Sequence, residues 1–207
     1  MATQDIFNAV MAFDEDKVKH LTQAEVAVGT DISTILHEGL IGAMDTVGEK
    51  FSAGELFVPE VLKAAQAMKA GLAILKPLLA AGQAQAKGTV VIGTVKGDLH
   101  DIGKNLVSMM LEGAGFEVID LGVDVAREKF VQVAEEKKAD VIALSALLTT
   151  TMPAMQATVK AIKEAGLSSR IIIGGAPVTQ RLADQIGADG YSPDAPGAVR
   201  LVKKLVA

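Results

Sequence analysis

The chain is 207 residues long, half of them hydrophobic, with a net charge of −5, a length that holds two modest domains or one large one. It has no cysteine, which excludes disulfides, thiolate metal ligands and a cysteine nucleophile together. Six phenylalanines, one tyrosine, no tryptophan and no basic cluster argue against a nucleic-acid surface. The amino terminus, Met1-Ala2-Thr3-Gln4-Asp5, has neither the charged lead nor the apolar core of a signal peptide. No apolar run reaches the length of a bilayer span, so a soluble cytoplasmic protein without a membrane or nucleic-acid partner is expected.

Short helices are predicted around Ile6 to Phe13 and Lys17 to Val28. Ile32, Ile35, Leu36, Met44, Val47 and Phe51 form one apolar stripe at helical spacing, and Val61, Ala65, Met68, Leu72, Leu75 and Leu79 form another. These two long helices flank Ser52-Ala53-Gly54-Glu55-Leu56-Phe57-Val58-Pro59, with Pro59 suited to the first turn of the second. The four helices imply a bundle, and Pro77 should end or bend the last of them. The segment Gly82 to Gly88 is small, polar and glycine-bounded, so it reads as a linker. The expected domains are therefore a helical one at 1–87 and a second at 88–207.

From Thr89 onward the period changes. Strands are expected at 89–95, 116–121, 140–145, 170–174 and, weakly patterned, 188–191. They alternate with helices near 102–113, 127–138, 153–165, 178–186 and 196–206. Alternation of this kind specifies an α/β domain with a five-stranded, doubly wound parallel sheet of Rossmann type, in the flavodoxin-like order 2-1-3-4-5. Strands one and three then flank the switch point, where such sheets bind ligands.

The loop after strand one is Gly97-Asp98-Leu99-His100-Asp101-Ile102-Gly103. It places a histidine on rigid elements at that edge, although a surface histidine with Asp98 or Asp101 capping the next helix fits the same residues. Strand three ends in Ser145-Ala146-Leu147-Leu148-Thr149-Thr150-Thr151 and strand four in Gly174-Gly175-Ala176. Hydroxyls and missing side chains there make a narrow slot in which a ligand can approach the backbone. Taken singly, Ser145 and Thr149 can be helix caps and the glycines turn chemistry; their joint placement points to a site.

Asp98-x-His100-x-x-Gly103, then Ser145-x-Leu147, then Gly174-Gly175, resembles the binding signature of cobalamin-dependent methyltransferases and mutases, and spans the second half. The first half resembles the cap of the methyltransferase branch through Gly42-Ala43-Met44-Asp45-Thr46-Val47-Gly48-Glu49-Lys50-Phe51 and Gly54-Glu55-Leu56-Phe57-Val58-Pro59-Glu60-Val61-Leu62. Together they are similar to the small corrinoid proteins of bacterial and archaeal methyl transfer and to the cobalamin-binding region of methionine synthase.

The resemblance implies that His100 is the lower axial ligand of cobalt, replacing the cofactor's own nucleotide base, and that Asp98 accepts the other imidazole N–H and fixes its tautomer. Thr151 falls where methionine synthase extends this chain with a serine. Gly97, Leu99, Asp101 and Ile102 belong to the same loop. Ser145 and Thr149 would bond the buried nucleotide tail, Leu147 would pack on it, and Gly103, Gly174, Gly175 and Ala176 would make room. Tyr191-Ser192-Pro193-Asp194-Ala195 aligns with a further tail-lining stretch, to which Ala195 belongs. In the cap, Met44, Val47, Phe51 and Phe57 would cover the upper face, although a helical apolar stripe is equally ordinary bundle core.

The implied activity is that of a methyl carrier using cobalamin or a related corrinoid. Cobalt(I) takes a methyl group from a substrate through a barrel-type methyltransferase. Methyl-cobalt(III) then yields it to tetrahydrofolate or a thiol coenzyme on a second methyltransferase, with a reductive activator for oxidised cobalt. Without an acid-base set of its own, the chain is not expected to catalyse the transfer alone. Three other readings share parts of the pattern: a radical mutase subunit, which would lack this cap; a cobalamin-responsive sensor, which would pair with a further domain; and a flavodoxin-like module for another ligand or none.

Overall fold

The computed structural model describes residues 2–80 and 86–207. Cα packing divides the chain into two compact units, one of helices α1 to α5 and the other of the residues from Ala86 onward save Gly113–Gly115. The proposed linker falls largely at 81–85, outside the described residues. Among the described residues no helix is long and apolar enough to cross a membrane.

The helical unit runs α1 (Ala2–Met11), α2 (Glu15–Ala27), α3 (Ile32–Thr34), a π-helical segment (Ile35–Ile41), α4 (Gly42–Ser52) and α5 (Val58–Ala80). Asp14 and Asp31 cap α2 and α3 by accepting the amides of Lys17 and Thr34 at 3.0 and 2.8 Å. The stripe from Ile32 to Phe51 is thus a single helical run, but seven of its residues are wound wider than an α-helix. Burial follows that winding: Ile35 and Leu40, and Leu36 and Ile41, are buried pairs five residues apart, the spacing that lies on one face of a π-helix. In the other stripe Val61, Ala65, Met68 and Leu75 are buried, while the side chain of Leu79 lies outside the described residues.

Pro77 does not end α5, which continues to Ala80. A proline deprives the carbonyl four residues earlier of its donor. Here that carbonyl belongs to exposed Ala73, where water can satisfy it.

The second unit is a five-stranded, all-parallel sheet of β1 (Thr89–Thr94), β2 (Glu117–Asp120), β3 (Val141–Ser145), β4 (Arg170–Gly174) and β5 (Gly190–Ser192), in the order β2-β1-β3-β4-β5. Helices α6 (Ile102–Gly113), α7 (Arg127–Lys137), α8 (Met152–Glu164), α9 (Gln180–Ile186) and α10 (Ala195–Val206) follow the strands in turn. Val91, Ile142, Leu144, Ile171 and Ile173 pack with Phe130, Val133, Met155, Val159, Ile162 and Ala183 into one core. The alternate residues Val90, Ile92, Val141, Ala143 and Ile172 are buried too and face the other way, so the sheet is covered on both sides as its apolar strands require.

Gly93 is one strand glycine with a packing reason. A Cβ there would come within 2.8 Å of the Phe130 ring, which is fully buried against β1. Because β1 connects to β2 on one side and the chain returns through α7 to β3 on the other, the loops after β1 and β3 open onto the same crevice.

Candidate functional site

Between β1 and α6 the chain turns at Gly97, whose φ is +84°. The Asp98 amide donates to the Val95 carbonyl at 3.1 Å, and the buried hydroxyl of Thr94 donates to the His100 carbonyl at 2.9 Å. His100 Nδ1 then stands 2.7 Å from Asp98 Oδ1. The same oxygen accepts the His100 amide at 3.1 Å. Asp98 Oδ2 accepts the amides of Leu147 and Leu148 at 2.7 and 3.2 Å and the Thr151 hydroxyl at 2.8 Å. The Asp98 carboxylate is committed to these bonds, and the Asp101 carboxylate accepts from the Asn105 side chain at 3.0 Å.

Asp98 is completely buried. Burial pushes its carboxyl upward, but the hydrogen bonds from Leu147, His100 and Thr151 together outweigh that and hold it well below the usual carboxylate range. An ionised carboxylate can only accept, so His100 Nδ1 carries a hydrogen, and in the neutral imidazole the lone pair is on Nε2. The imidazole is half exposed, at 49%, and Nε2 is its one uncommitted nitrogen.

Acid should undo this arrangement. The folded-state pKa of Asp98 is depressed, so its contribution to stability is complete above the unfolded value of about 3.9 and is lost progressively as pH falls from there through the lower folded-state value. Acid unfolding of an Asp98→Asn variant should lack that component, and superimposable acid-unfolding profiles for the two proteins would rule it out.

Across the carboxyl edge of the sheet, Thr94, Ser145, Gly174 and Ser192 lie in register on four adjacent strands. This row is small and hydroxylated where the strand interiors are branched and apolar. Gly175 follows with φ +126°, Ala176 is exposed, and Gly103 has open space where a Cβ would stand. Thr149 is exposed and begins a 3-10 turn, Thr149–Thr151, that leads into α8. The cap readings of Ser145 and Thr149 do not hold, since α8 has no side-chain N-cap bond. Ala195 is buried at the start of α10, which Asp194 caps at the Gly197 amide. In the helical unit Met44 and Val47 are buried, Phe51 is half-buried and Phe57 is 68% exposed.

Four residues bonded into this loop or beside it escape a reading of local pattern. Thr94 is one, a hydroxyl ending an otherwise apolar strand. Asp124, after Gly122-Val123, accepts from the Gly97 amide at 2.8 Å and Lys96 Nζ at 3.0 Å. The Gly97 amide first, then Lys96, keeps its carboxyl below the ordinary range. Lys104, almost fully buried, pairs with Asp120, whose other oxygen accepts the Gly122 amide at 2.8 Å. Long-range partners, invisible in the local sequence, define Asp124, Lys104 and Asp120.

Two observations indicate what such a site can hold. No group of three or more His, Cys, Asp or Glu side chains could hold a metal ion among the described residues, so a metal at His100 has to arrive with its other ligands already in place. Around it Leu99, Ile102, Leu147 and Leu148 are 71%, 78%, 42% and 40% exposed, an apolar surface that soluble proteins seldom leave uncovered. One imidazole lone pair, exposed apolar side chains on the same two loops and a row of small residues at the same sheet edge fit the underside of a macrocycle that carries its own metal and a polar tail.

The comparisons agree with that fit. The B12 binding domain family matches residues 88–200, and a second B12 binding domain family matches residues 2–76. The chain is 48% identical to dimethylamine corrinoid protein 1 of Methanosarcina acetivorans, over 99% of this chain and 97% of that one. It is similar to a chain in the methanol:cobalamin methyltransferase complex MtaBC of Methanosarcina barkeri, with a TM-score of 0.89 and 30% identity, covering 99% of this chain and 79% of that one. A cobalamin-binding protein of Desulfitobacterium hafniense gives a TM-score of 0.82 at 32% identity, covering 99% and 98%. The chain belongs to the family of small corrinoid proteins of methyltransferase systems, and its cofactor is cobalamin or a related corrinoid.

Proposed function

We propose that this protein is a methyl carrier in which His100 Nε2 is the lower axial ligand of the corrinoid's cobalt. The observation that carries the reading is the Asp98–His100 pair, which fixes the tautomer and leaves one lone pair directed away from the carboxylate. The bound corrinoid supplies the methyl-transfer chemistry through its cobalt. Asp98 orients the imidazole, and Thr151 braces Asp98 from the side opposite the histidine. Its hydroxyl also lies 2.9 Å from the Leu148 carbonyl, and the charged acceptor makes the stronger bond. Ser145, Thr149 and Leu147 line the tail, with Gly103, Gly174, Gly175, Ala176 and Ala195 leaving room for it. Residues 88–207 serve as the carrier domain and 1–87 as its cap.

The names of the relatives support a methylamine or methanol as methyl source and a substrate-specific methyltransferase as first partner. A second methyltransferase, acting toward tetrahydrofolate or a thiol coenzyme, and a reductive activator complete the cycle. The chain itself contributes binding, orientation and access.

His100→Ala tests the ligand directly. The cobalamin-loaded variant should lose the absorption and paramagnetic-resonance signature of an axial nitrogen while keeping bound corrinoid, because the tail slot is untouched. An unaltered signature would overturn the assignment.

The cap residues separate by burial. Phe57→Ala should change the transfer or photolysis rate by several-fold with little effect on stability, since the ring is exposed. Val47→Ala should lower the stability of the helical unit by about 1–3 kcal/mol by opening its core. If thermal unfolding showed Phe57→Ala to be the more destabilising of the two, Phe57 would be a packing residue instead.

A further inference from the structure

The loop bearing His100 is held from outside by one residue of the β2–α7 connection. Asp124 has φ +55°, a left-handed conformation that an aspartate tolerates but that still disfavours any side chain with a Cβ. Its carboxylate accepts the Gly97 amide at 2.8 Å and Lys96 Nζ at 3.0 Å, and its own amide donates to the Asp98 carbonyl at 2.9 Å. Next to it, Val125 bridges Val95 and donates its amide to the Thr94 carbonyl at 3.0 Å. The peptide group before Gly97 and the one after Asp98 are therefore both fixed to this one residue. Gly97 is also the most permissive point of the loop, with φ +84°. Without the clamp the backbone gains freedom at that glycine, and the Asp98–His100 pair keeps only its bonds to Thr94, Val95, Leu147, Leu148 and Thr151.

We propose that Asp124 is a positioning residue for the axial histidine: its bonds to the Gly97 amide and the Asp98 carbonyl set the loop frame from which His100 reaches the metal. This rests on the reading of His100 as the cobalt ligand. The side-chain bonds of Asp124 go to the Gly97 amide and to Lys96, so it acts on His100 through the backbone. The energetic argument is geometric. A metal–nitrogen bond tolerates little misplacement, so freedom gained at Gly97 is paid directly in ligation.

The test uses the full chain loaded with cobalamin, comparing Asp124→Ala, Asp124→Gly and Asp124→Asn. Asparagine keeps an acceptor for Gly97 and tolerates the left-handed conformation while discharging the pair with Lys96. Glycine keeps the backbone conformation without strain but removes both side-chain bonds, so a folded variant lacking the clamp is available even if the alanine variant does not fold. The ratio of axial-nitrogen-ligated to unligated cobalamin, read by absorption and paramagnetic resonance, should fall about tenfold in the glycine variant. In the asparagine variant it should stay within about twofold of the parent, with corrinoid content unchanged in both. In the cofactor-free protein, hydrogen exchange of the Gly97 amide should quicken about tenfold in Asp124→Gly. Parental ligation in the glycine variant, or equal loss in the glycine and asparagine variants, would overturn the inference. If His100→Ala leaves the signature unchanged, the ligand reading fails, and the Gly97 exchange rate still decides whether the clamp exists.

Discussion

Asp98→Ala should lower the stability of the sheet-containing unit by about 3–5 kcal/mol and bring thermal unfolding down by about 10 °C. The magnitude follows from what the carboxylate holds. The amides of His100, Leu147 and Leu148, the Thr151 hydroxyl and His100 Nδ1 all terminate on its two oxygens. Alanine leaves the three amides and His100 Nδ1 without this acceptor at a fully buried position, while the Thr151 hydroxyl falls back on the Leu148 carbonyl at 2.9 Å, and each unmade bond costs about 1–3 kcal/mol where water cannot replace it. Leu147 and Leu148 are partly exposed, so water recovers some of the loss and the total stays below the simple sum. Asp98→Asn should fall between the two, since the amide keeps one oxygen but turns donors toward donors. If His100 ligates cobalt as proposed, both variants of the loaded protein should weaken that ligation, because the imidazole loses its fixed tautomer. Calorimetry on the cofactor-free variants checks the first claim, and an Asp98→Ala protein melting with the parent would show that the loop is anchored elsewhere.

Gly175→Ala is the second large effect, and its companion Gly174→Ala is the control. Gly175 has φ +126°, a region almost closed to other residues. A Cβ there would be driven into the backbone carbonyl of Ala146, which cannot swing aside as a side chain would. Backbone strain and steric conflict together should cost about 3–5 kcal/mol and displace the segment just after β3, whose Leu147 amide bonds Asp98. At Gly174 the new Cβ would meet only the Ser192 carbonyl, at 3.4 Å, so the fold should tolerate it at under about 1 kcal/mol. Gly174→Ala thus narrows the slot in an intact sheet, and Gly175→Ala damages the sheet edge itself. Denaturant unfolding combined with corrinoid retention on gel filtration separates the two. Equal unfolding midpoints for both variants would refute the distinction.

Much of the sheet domain was legible because local and global requirements coincide there. Branched apolar runs such as Thr89–Val95 can only be buried strands, and their alternation with amphipathic helices leaves few parallel topologies. The Asp98-x-His100 spacing was legible for the same reason, since two residues apart in one short loop are close whatever the rest of the chain does. The helical unit was read less well. Stripes located its helices, but apolar spacing did not distinguish an α-helix from the π-wound Ile35–Ile41 segment. Pro77 was a stronger stop signal than the solvent-facing carbonyl at Ala73 made necessary.

The sequence by itself determined the class of fold, the strand order and a histidine–aspartate pair at the switch point, because periodicity and short-range spacing are local properties that burial reinforces. Only the tertiary structure decided how that pair is held. Asp98 is bonded by residues about fifty positions away and the loop is clamped by Asp124, while Phe130 occupies the space that Gly93 leaves. Contacts of that kind depend on which strands become neighbours, and no window of sequence short enough to show a period contains both partners.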